Sequence, residues 1–300
     1  MHAQRLPRWS VLRVGLAGCA SEPPPTTFPT VTSADFPSVT PTTFPNAMPG
    51  GALAVPAEIY RPGGAGPFPA VVLLHGCEGV SEATRAWARW FQEQRYVALV
   101  VDSWTPRGLK EACSYTVPDP PSTARLDDSL SALRYLQSKP EIDRTRVGVI
   151  GWSNGGEFAI VSVNGPSLER AAARGVVLPT PGYAAAIGVY PGGCGSLTNE
   201  RVVRPALVLM GDADDWTTAP KCARMVEAMR AKGADITIEL FPGAYHYFDF
   251  AGMTKRVLPD VGNENKPGGC CGATVEYNEN AFRTARRRVA EFFGYHLKPR

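Results

Sequence analysis

The sequence predicts an α/β fold in which a mostly parallel central sheet carries helices on both faces. Short apolar runs alternate with segments of helical periodicity from residue 52 onward. The runs are apolar at nearly every position, which is typical of strands buried on both faces, and strands that alternate with helices run parallel through crossover connections. A hydrophobic fraction of 44% and a charged fraction of 20% suit a soluble globular domain with a sizeable core.

Each predicted strand is a short run dominated by apolar residues. The runs are AVVLLHG (70–76), YVALVVDSW (96–104), VGVIGW (147–152), AAAIGVY (184–190), ALVLMGD (206–212) and ITIELFPG (236–243). In open parallel sheets, ligands and catalytic groups gather beyond the carboxyl ends of the strands. The residues that follow these runs are therefore the first candidates for a functional site.

Segments with helical spacing of apolar residues separate these strands. The first predicted helix covers 81–95 with Ser81 as its N-cap, and the second covers 122–138 with apolar side chains three or four residues apart. Two more helices cover 219–232 and about 277–296. The last one contains the basic run RTARRRVAEF. Because the net charge of the chain is only +3, we interpret this run as a solvated helix face and expect no nucleic-acid partner.

Three regions are expected along the chain: a signal at 1–20, a tether at 21–51 and the folded domain at 52–300. A basic start, a short apolar stretch and the small residues before Cys19 resemble a bacterial lipoprotein signal, in which the cysteine carries lipid. The tether is rich in Pro, Thr and Ser, a composition that cannot bury a core. No run approaches the roughly 18–20 apolar residues of a membrane span, so a membrane contact is expected only through the lipid. We expect export to the membrane surface or periplasm, with a cytoplasmic location as the alternative.

The third predicted strand leads into Gly151-Trp152-Ser153-Asn154-Gly155, which matches the pattern G-x-S-x-G between a strand and a helix. Such a turn strains the backbone of the serine and exposes its hydroxyl, and glycines are needed where side chains would collide with neighbouring elements. The pattern therefore predicts Ser153 as a nucleophile. A phosphate-binding turn is the alternative, but no Lys-Ser/Thr or G-x-G-x-x-G accompanies it.

A serine hydroxyl needs a base that takes its proton, and the chain has four histidines. His2 lies in the predicted signal and His296 lies in the last predicted helix. His75 ends the first predicted strand, and we interpret it as a brace for the loop that follows. His246, in the loop after the last strand, remains as the general base.

An acid is expected after the fifth strand, where the run GDADDWT carries three aspartates. A carboxylate there would fix the tautomer of the histidine and stabilise its charged form. The order Ser, Asp, His along the chain is that of α/β-hydrolases. Asp214 is the preferred acid and Asp215 the second choice. A calcium loop, the alternative for clustered aspartates, would need a regular ligand spacing and a distal glutamate.

Two backbone N–H groups are expected to bind the oxyanion that forms when the serine attacks a carbonyl. One belongs to Asn154, the residue after the nucleophile. The other belongs to Cys77, in the loop HGCEG (75–79) after the first strand. This chemistry implies no cofactor, and the cysteines lack the Cys-x-x-Cys spacing of a structural zinc site.

Six segments in this order resemble the motifs of the dienelactone hydrolase family within the α/β-hydrolase fold: HGCEG, VVDSWTPRG, GWSNGG, YPGGCG, GDADDWT and PGAYHYFDF. The resemblance covers about residues 55–297. It implies an ester or lactone hydrolase, and it implies Asp214 as the acid because the G-x-x-D spacing from Gly211 matches.

The chain departs from this family at three positions. The family's nucleophile is a cysteine, where this chain has Ser153, and the family's loop glutamate corresponds to Gly76. Two arginines hold the substrate carboxylate in the family. Arg107 matches one of them, either as an anion-binding residue or only as a loop brace, whereas Phe250 stands in place of the other. A plain carboxylic ester is therefore a better expectation than a dienelactone. Four aromatic residues flank the motifs and are expected to form an apolar pocket or to serve only in packing: Trp104, Trp152, Trp216 and Tyr245.

Six cysteines remain besides the predicted lipidated one, an even number that suits an oxidising compartment. Four of them follow strands at the carboxyl edge of the sheet, and there we expect two disulfides: Cys77–Cys113 and Cys194–Cys222. Cys270 and Cys271 are adjacent, in an insertion at 251–276 before the last helix. Whether these two pair, and whether the insertion caps the pocket or lies outside it, is left open.

The predicted function is hydrolysis of carboxylic esters, with lactones as a candidate subclass. Ser153 attacks the ester, His246 moves the proton, Asp214 orients the histidine, and water releases the acyl group. The expected partner is a small-molecule ester, and the oligomeric state is not predicted. Two alternatives remain: an amidase, peptidase or acyltransferase with the same triad, and a surface-anchored binding protein whose triad is incomplete in space.

Overall fold

The structure, a computed structural model, describes residues 37–46, 53–114, 116–117 and 122–298. The predicted signal and most of the predicted tether lie outside these residues. The strands are β1 (Ser38–Pro45), β2 (Ala54–Arg61), β3 (Phe68–Leu74), β4 (Val97–Val101), β5 (Ile142–Trp152), β6 (Ala185–Val189), β7 (Ala206–Gly211), β8 (Ile236–Phe241), β9 (Arg256–Leu258) and β10 (Ala273–Val275). The α-helices are α1 (Glu82–Glu93), α2 (Ser122–Gln137), α3 (Asn154–Val161), α4 (Gly165–Ala173), α5 (Ala219–Ala231) and α6 (Glu279–Leu297).

Eight strands form one sheet in the order β1-β2-β4-β3-β5-β6-β7-β8. The first two strands pair antiparallel to each other, and β2 pairs antiparallel to β4, whereas every pair from β4 to β8 is parallel. The predicted mostly parallel α/β sheet is confirmed. Because the parallel strands share one direction, the segments after β3, β5, β6, β7 and β8 all emerge at one edge.

Helices cover both faces of the sheet, as predicted. Along β5, a side chain at Gly148 would meet Phe293 and Leu297 of α6, whereas one at Gly151 would meet the backbone of α3. Residues three apart on a strand point to opposite faces, so α6 and α3 lie on opposite sides. No helix in the described part of the chain is long and apolar enough to cross a membrane.

Part of the predicted tether is a strand, which corrects the boundary placed at residue 52. The segment SVTPTTFP forms β1 at the edge of the sheet, where a proline such as Pro41 is tolerated because one side of the strand needs no ladder hydrogen bonds. Phe44 is buried and stacks on Tyr135 of α2 at 5.5 Å between ring centroids. One buried aromatic side chain thus anchors a segment whose composition predicts disorder.

Four further elements were not predicted: β2, α4, β9 and β10. The signal for α4 is present in the sequence, since Asn164 caps it by accepting a hydrogen bond from the backbone N–H of Ser167. The strands β9 and β10 pair with each other inside the insertion at 251–276. Each has only three residues, too few for a periodic pattern to be read.

Candidate active site

Ser153 stands in a sharp turn between β5 and α3. Its backbone has φ 52° and ψ −117°, a left-handed conformation that is unusual for a serine. A Cβ at Gly151 would overlap the carbonyl of Gly155, and one at Gly155 would overlap the carbonyl of Leu74 at the end of β3. Both glycines of the G-x-S-x-G pattern are therefore required by close backbone approach.

His246 and Asp214 form a buried pair at the same edge of the sheet. His246 lies in the loop after β8, and Asp214 lies in the turn after β7. Nδ1 of His246 is 2.7 Å from Oδ2 of Asp214, and both side chains are fully buried. The backbone N–H groups of Trp216 and Thr217 each donate to Oδ1 of Asp214 across 2.9 Å. The carboxylate is thus held by the turn that carries it and by the imidazole.

Asp215, the second choice from the sequence, has a different partner. Its carboxylate accepts hydrogen bonds from the backbone N–H and the hydroxyl of Thr274 in β10, both at 2.8 Å. Asp212 accepts from the backbone N–H of Gly243. Of the three clustered aspartates, only Asp214 contacts His246.

Two aromatic rings pack close to the imidazole of His246. Tyr190 lies 4.4 Å away and Trp216 lies 4.7 Å away, between ring centroids. The segment that carries Tyr190 also touches the nucleophile, because Ser153 N donates to Val189 O and Gly192 N donates to Ser153 O, both at 2.9 Å. The other ring nitrogen of His246, Nε2, is buried and makes no hydrogen bond within the described part of the chain. Nε2 is therefore the nitrogen left for proton transfer.

The peptide unit between Gly76 and Cys77 is held from its carbonyl side. The Gly76 carbonyl accepts from Nδ1 of His75 at 2.6 Å and from the backbone N–H of Gly79 at 3.3 Å. Carbonyl and N–H of a trans peptide point in opposite directions. The N–H of Cys77 is thereby directed away from these partners.

His75 is not part of the His246–Asp214 pair and braces the loop after β3. Its Nε2 accepts from the backbone N–H of Ser103 at 3.2 Å, so a neutral ring carries its proton on Nδ1. Burial, and then the positive charge of Arg125 nearby, hold the pKa of His75 well below its usual range. The neutral tautomer that donates to Gly76 is therefore the stable one.

A cleft of about 390 Å³ lies beside the serine turn, and Ser153 and Asn154 both line it. The Cys77–Cys113 disulfide forms part of its wall. The insertion supplies another part of the wall, through Gly262, Asn263, Glu264 and Gly269. The question left open by the sequence is therefore answered: the insertion contributes to the cleft.

Hydrogen bonds fix the insertion in this position. Gly262 donates its N–H to Cys113 O at 3.0 Å, and its own carbonyl accepts from Nε1 of Trp216 at 2.8 Å. The amide of Asn263 donates to the backbone carbonyl of Asp215 at 3.0 Å. The insertion is thus bonded both to the disulfide segment and to the turn that carries the acid.

Among the predicted substrate-binding residues, only Trp216 lines the cleft. Trp104 and Trp152 are buried and donate their indole N–H groups to Cys77 O and to Asp249 respectively. Tyr245 packs under the ammonium of Lys255.

Arg107 is also placed away from the cleft. Its guanidinium makes a two-pronged ion pair with Asp128, at 2.8 and 3.0 Å, and donates to the carbonyl of Ser103 at 2.6 Å. The Asp128 side chain is fully buried. Of the two interpretations left open by the sequence, this geometry favours the loop brace.

Two carboxyl groups near the site were missed by sequence reasoning: Glu78, which is half-buried, and Asp249, which is buried. The Glu78 carboxylate fills the space that a side chain at Gly76 would occupy, and it accepts from the hydroxyl of Tyr247 at 3.1 Å. Asp249 accepts three hydrogen bonds, from Trp87, Trp152 and Tyr190. Burial raises the pKa of both carboxyl groups. The sequence did contain a signal for Glu78, because this glutamate stands only two residues after Gly76, the position that corresponds to the family's loop glutamate.

Both predicted disulfides form, and Cys270 and Cys271 pair with each other. Within the described residues, one group of potential metal ligands stands out: Cys77, Glu78 and Cys113. The two sulfur atoms of this group are bonded to each other and therefore are not thiolate ligands.

The chain matches the dienelactone hydrolase family over residues 55–297. A protein of Methylorubrum extorquens with the provisional name carboxymethylenebutenolidase is 23% identical over 209 residues, which cover 65% of this chain and 68% of that protein. Among solved structures, the dienelactone hydrolase-like promiscuous phosphotriesterase P91 from metagenomic libraries has a TM-score of 0.63 at 18% identity, covering 88% of this chain and 100% of that one. The dienelactone hydrolase of Anabaena variabilis has a TM-score of 0.57 at 17% identity, covering 87% and 99%.

Proposed function

Because the chain belongs to the dienelactone hydrolase family and is a hydrolase of carboxylic esters, we propose that it cleaves them through a Ser153, His246, Asp214 triad and an acyl-enzyme. The observation that carries this proposal is the buried pair of His246 and Asp214, which leaves Nε2 of the imidazole without a hydrogen bond in the described chain. That nitrogen is the base that a serine in a strained strand-to-helix turn requires.

In the first half-reaction, the hydroxyl oxygen of Ser153 attacks the ester carbonyl as its proton passes to Nε2 of His246. The resulting imidazolium lies against the Asp214 carboxylate, which stabilises its charge and keeps the ring oriented. The same proton then goes to the leaving alkoxide. The products of this half-reaction are an alcohol and an acyl group on Ser153.

The negative charge on the carbonyl oxygen during attack needs donors that are already in place. One N–H belongs to Asn154, the first residue of α3. The other belongs to Cys77, in the peptide whose Gly76 carbonyl is bonded to His75. These two groups are the proposed oxyanion donors.

In the second half-reaction, a water molecule replaces the alcohol. His246 takes a proton from the water as it attacks the acyl group, and returns it to the oxygen of Ser153. A carboxylic acid is released and the serine is regenerated. A lactone follows the same steps, but its alcohol and acid remain in one product molecule.

Labelling with a fluorophosphonate probe tests the nucleophile. The wild-type chain should be labelled and should hydrolyse a neutral p-nitrophenyl ester, and Ser153→Ala should lose both. Ser138→Ala, at an exposed serine beyond α2, is the matched control and should keep both. Equal labelling of the wild-type chain and Ser153→Ala would contradict the proposal. A matched pair of an ester and an amide with the same acyl group then separates an esterase from an amidase.

We also propose that the chain is exported and carries lipid on Cys19. The three disulfides support an oxidising compartment. In a bacterial host, the wild-type chain should incorporate labelled palmitate and fractionate with membranes, and Cys19→Ser should do neither. An unlabelled, cytosolic wild-type chain would contradict this proposal.

A further inference from the structure

Asp249 connects the loop of the proposed base to three other parts of the fold. It lies three residues after His246 and is buried. Its Oδ2 accepts from the indole N–H groups of Trp87 and Trp152, at 2.8 and 2.7 Å, and its Oδ1 accepts from the hydroxyl of Tyr190 at 2.6 Å. These donors belong to α1, to β5 and to the segment after β6. One carboxyl group therefore joins segments that are distant along the chain.

Tyr190 is the donor that contacts the proposed base. Its ring is fully buried and packs against the imidazole of His246, at 4.4 Å between centroids. Its backbone has φ 35°, a positive value that is unusual for a residue other than glycine. The hydrogen bond from its hydroxyl to Asp249 fixes the end of the ring that is farthest from this backbone. The ring that packs on His246 is thus held at both ends.

The carbonyl of Tyr190 connects the same residue to the turn that carries the acid. This carbonyl accepts from the hydroxyl of Thr217 at 3.1 Å. The oxygen of that hydroxyl also lies 3.2 Å from Nδ1 of His246 and 3.2 Å from Oδ2 of Asp214. A displacement of Tyr190 would therefore reach His246 in two ways, through the ring contact and through Thr217.

Trp152 is the donor next to the proposed nucleophile. It is the last residue of β5 and directly precedes Ser153. Its indole is buried and donates to the carboxylate of Asp249. Because consecutive residues share a rigid peptide unit, fixing Trp152 restrains the turn in which Ser153 stands. Asp249 is therefore bonded to a neighbour of the nucleophile as well as to a neighbour of the base.

We propose that Asp249 is a positioning residue that acts through Tyr190, and through Trp152, to hold the proposed base and nucleophile in their working orientation. This inference rests on the proposed function, because it concerns the same triad. Burial of a carboxyl group costs free energy that an apolar side chain would avoid. Such a locally unfavourable choice is expected where the placement of neighbouring groups matters for a reaction. A misplacement of about 1 Å away from the reacting atoms can lower a rate by about 100-fold.

Two variants that each remove one donor to Asp249 separate positioning from packing. Tyr190→Phe keeps the ring and removes only its hydroxyl, whereas Trp87→Phe removes a donor that has no ring contact with His246 in the described part of the chain. For the full chain and a neutral p-nitrophenyl ester, kcat should fall by about tenfold in Tyr190→Phe, with KM within about twofold of wild type. Trp87→Phe should keep kcat within about twofold, although it should lose at least as much unfolding free energy because it removes more buried atoms.

The carboxyl group itself is tested by Asp249→Asn and Asp249→Leu. An asparagine can retain all three contacts, since its oxygen accepts from both indoles while its N–H donates to the hydroxyl oxygen of Tyr190, so kcat should stay within about threefold of wild type. Asp249→Leu should lower kcat by about tenfold or more, at a temperature where near-UV circular dichroism shows a folded chain. Adding Tyr190→Phe to Asp249→Leu should lower kcat by no more than about twofold further, because the hydroxyl has already lost its acceptor.

Equal kcat values for Tyr190→Phe and Trp87→Phe overturn the inference. So does an Asp249→Asn variant as slow as Asp249→Leu, and so do independent losses that multiply in the double variant. If Asp249→Leu does not fold, the comparison of Tyr190→Phe with Trp87→Phe still tests the inference. Hydrolysis of the ester by Ser153→Ala is measured first. If that variant is active, the proposed function fails; if it is inactive and Tyr190→Phe equals Trp87→Phe, only the inference fails.

Discussion

Nδ1 of His246 lies 2.7 Å from Oδ2 of Asp214, whereas the adjacent Asp215 turns to Thr274 in the insertion. Consecutive carboxylates in one turn therefore have separate partners. The first contacts the imidazole, and the second is bonded to the insertion that lines the cleft. This division gives a matched pair of variants for testing the acid.

Asp214→Asn should lower kcat for a neutral ester by about 10⁴-fold, because an amide can donate to Nδ1 and favour the wrong tautomer of His246. Asp215→Asn should lose far less, since its partner is Thr274 and not the imidazole. Steady-state kinetics of both variants, with near-UV circular dichroism to compare their folds, provide the check. Equal losses for the two variants would remove Asp214 from its proposed role.

The two disulfides at the sheet edge should contribute similarly to stability, but only one of them should affect activity. Cys77–Cys113 closes 36 residues and Cys194–Cys222 closes 28, so chain entropy predicts a similar stabilisation of about 3–4 kcal/mol for each. Only the first pair lines the cleft. Replacing either pair with alanines keeps every backbone N–H and removes only the crosslink.

Denaturant unfolding should show comparable losses for the two double-alanine variants. The kcat/KM for a neutral ester should fall by about tenfold only in the variant without Cys77–Cys113, because that crosslink holds the loop with a proposed oxyanion donor. An equal fall in kcat/KM for both variants would mean that the first crosslink has no special function at the cleft.

Most groups of the candidate site could be predicted because parallel strands end at one edge. Ser153, Asp214 and His246 each follow a recognisable apolar run, so the strand order places all three at one edge of the sheet. Glu78 and Asp249 could not be predicted in the same way. Their environments depend on rings that are distant in sequence, such as Trp87, which lies 162 residues before Asp249.

The departures from the predicted fold have a similar origin. The strand β1 contains prolines and threonines, and only its partner β2 and the burial of Phe44 make it a strand. The position of the insertion depends on Gly262 and Asn263, whose backbone and amide contacts have no sequence pattern. Local periodicity predicts elements that bury a regular face, and these segments bury single side chains instead.

The buried carboxyl group of Asp249 should make the free energy of unfolding depend on pH. Burial raises its pKa above the usual value, so the native chain holds a proton more tightly than the unfolded chain. Its contribution to stability is full below the unfolded pKa of about 4 and is lost as pH rises through the native pKa. Asp249→Asn removes this dependence. The unfolding free energy of this variant should therefore increase relative to that of wild type as pH rises above about 4.

Asp249→Leu is the contrasting variant, because it leaves Trp87, Trp152 and Tyr190 without an acceptor. It should lose about 3 kcal/mol or more of unfolding free energy at every pH. Urea unfolding between about pH 4 and pH 8 measures both variants. A difference between Asp249→Asn and wild type that does not change with pH would contradict the raised pKa.

His75 should be a positioning residue that affects turnover more than binding. It donates to the carbonyl of Gly76, whose peptide carries the N–H of Cys77. His75→Asn loses the acceptor for Ser103 and loosens this peptide, so kcat should fall by about 10-fold to 100-fold with little change in KM, because oxyanion contacts strengthen in the transition state. His296→Asn, in the last helix, should keep the wild-type values.

The pH dependence of stability gives a second readout for His75. Its native pKa is depressed by burial and by Arg125, so its contribution is present above the unfolded pKa of about 6.5 and is lost as pH falls below that value. The unfolding free energy of wild type should therefore decline below about pH 6.5, by at most about 1.4 kcal/mol per pH unit from this one group. His75→Asn should flatten that decline. If the unfolding free energy of His75→Asn declines below about pH 6.5 as steeply as that of wild type, the His75 ring is not held neutral. The proposed role of His75 in holding the Gly76–Cys77 peptide would then be contradicted.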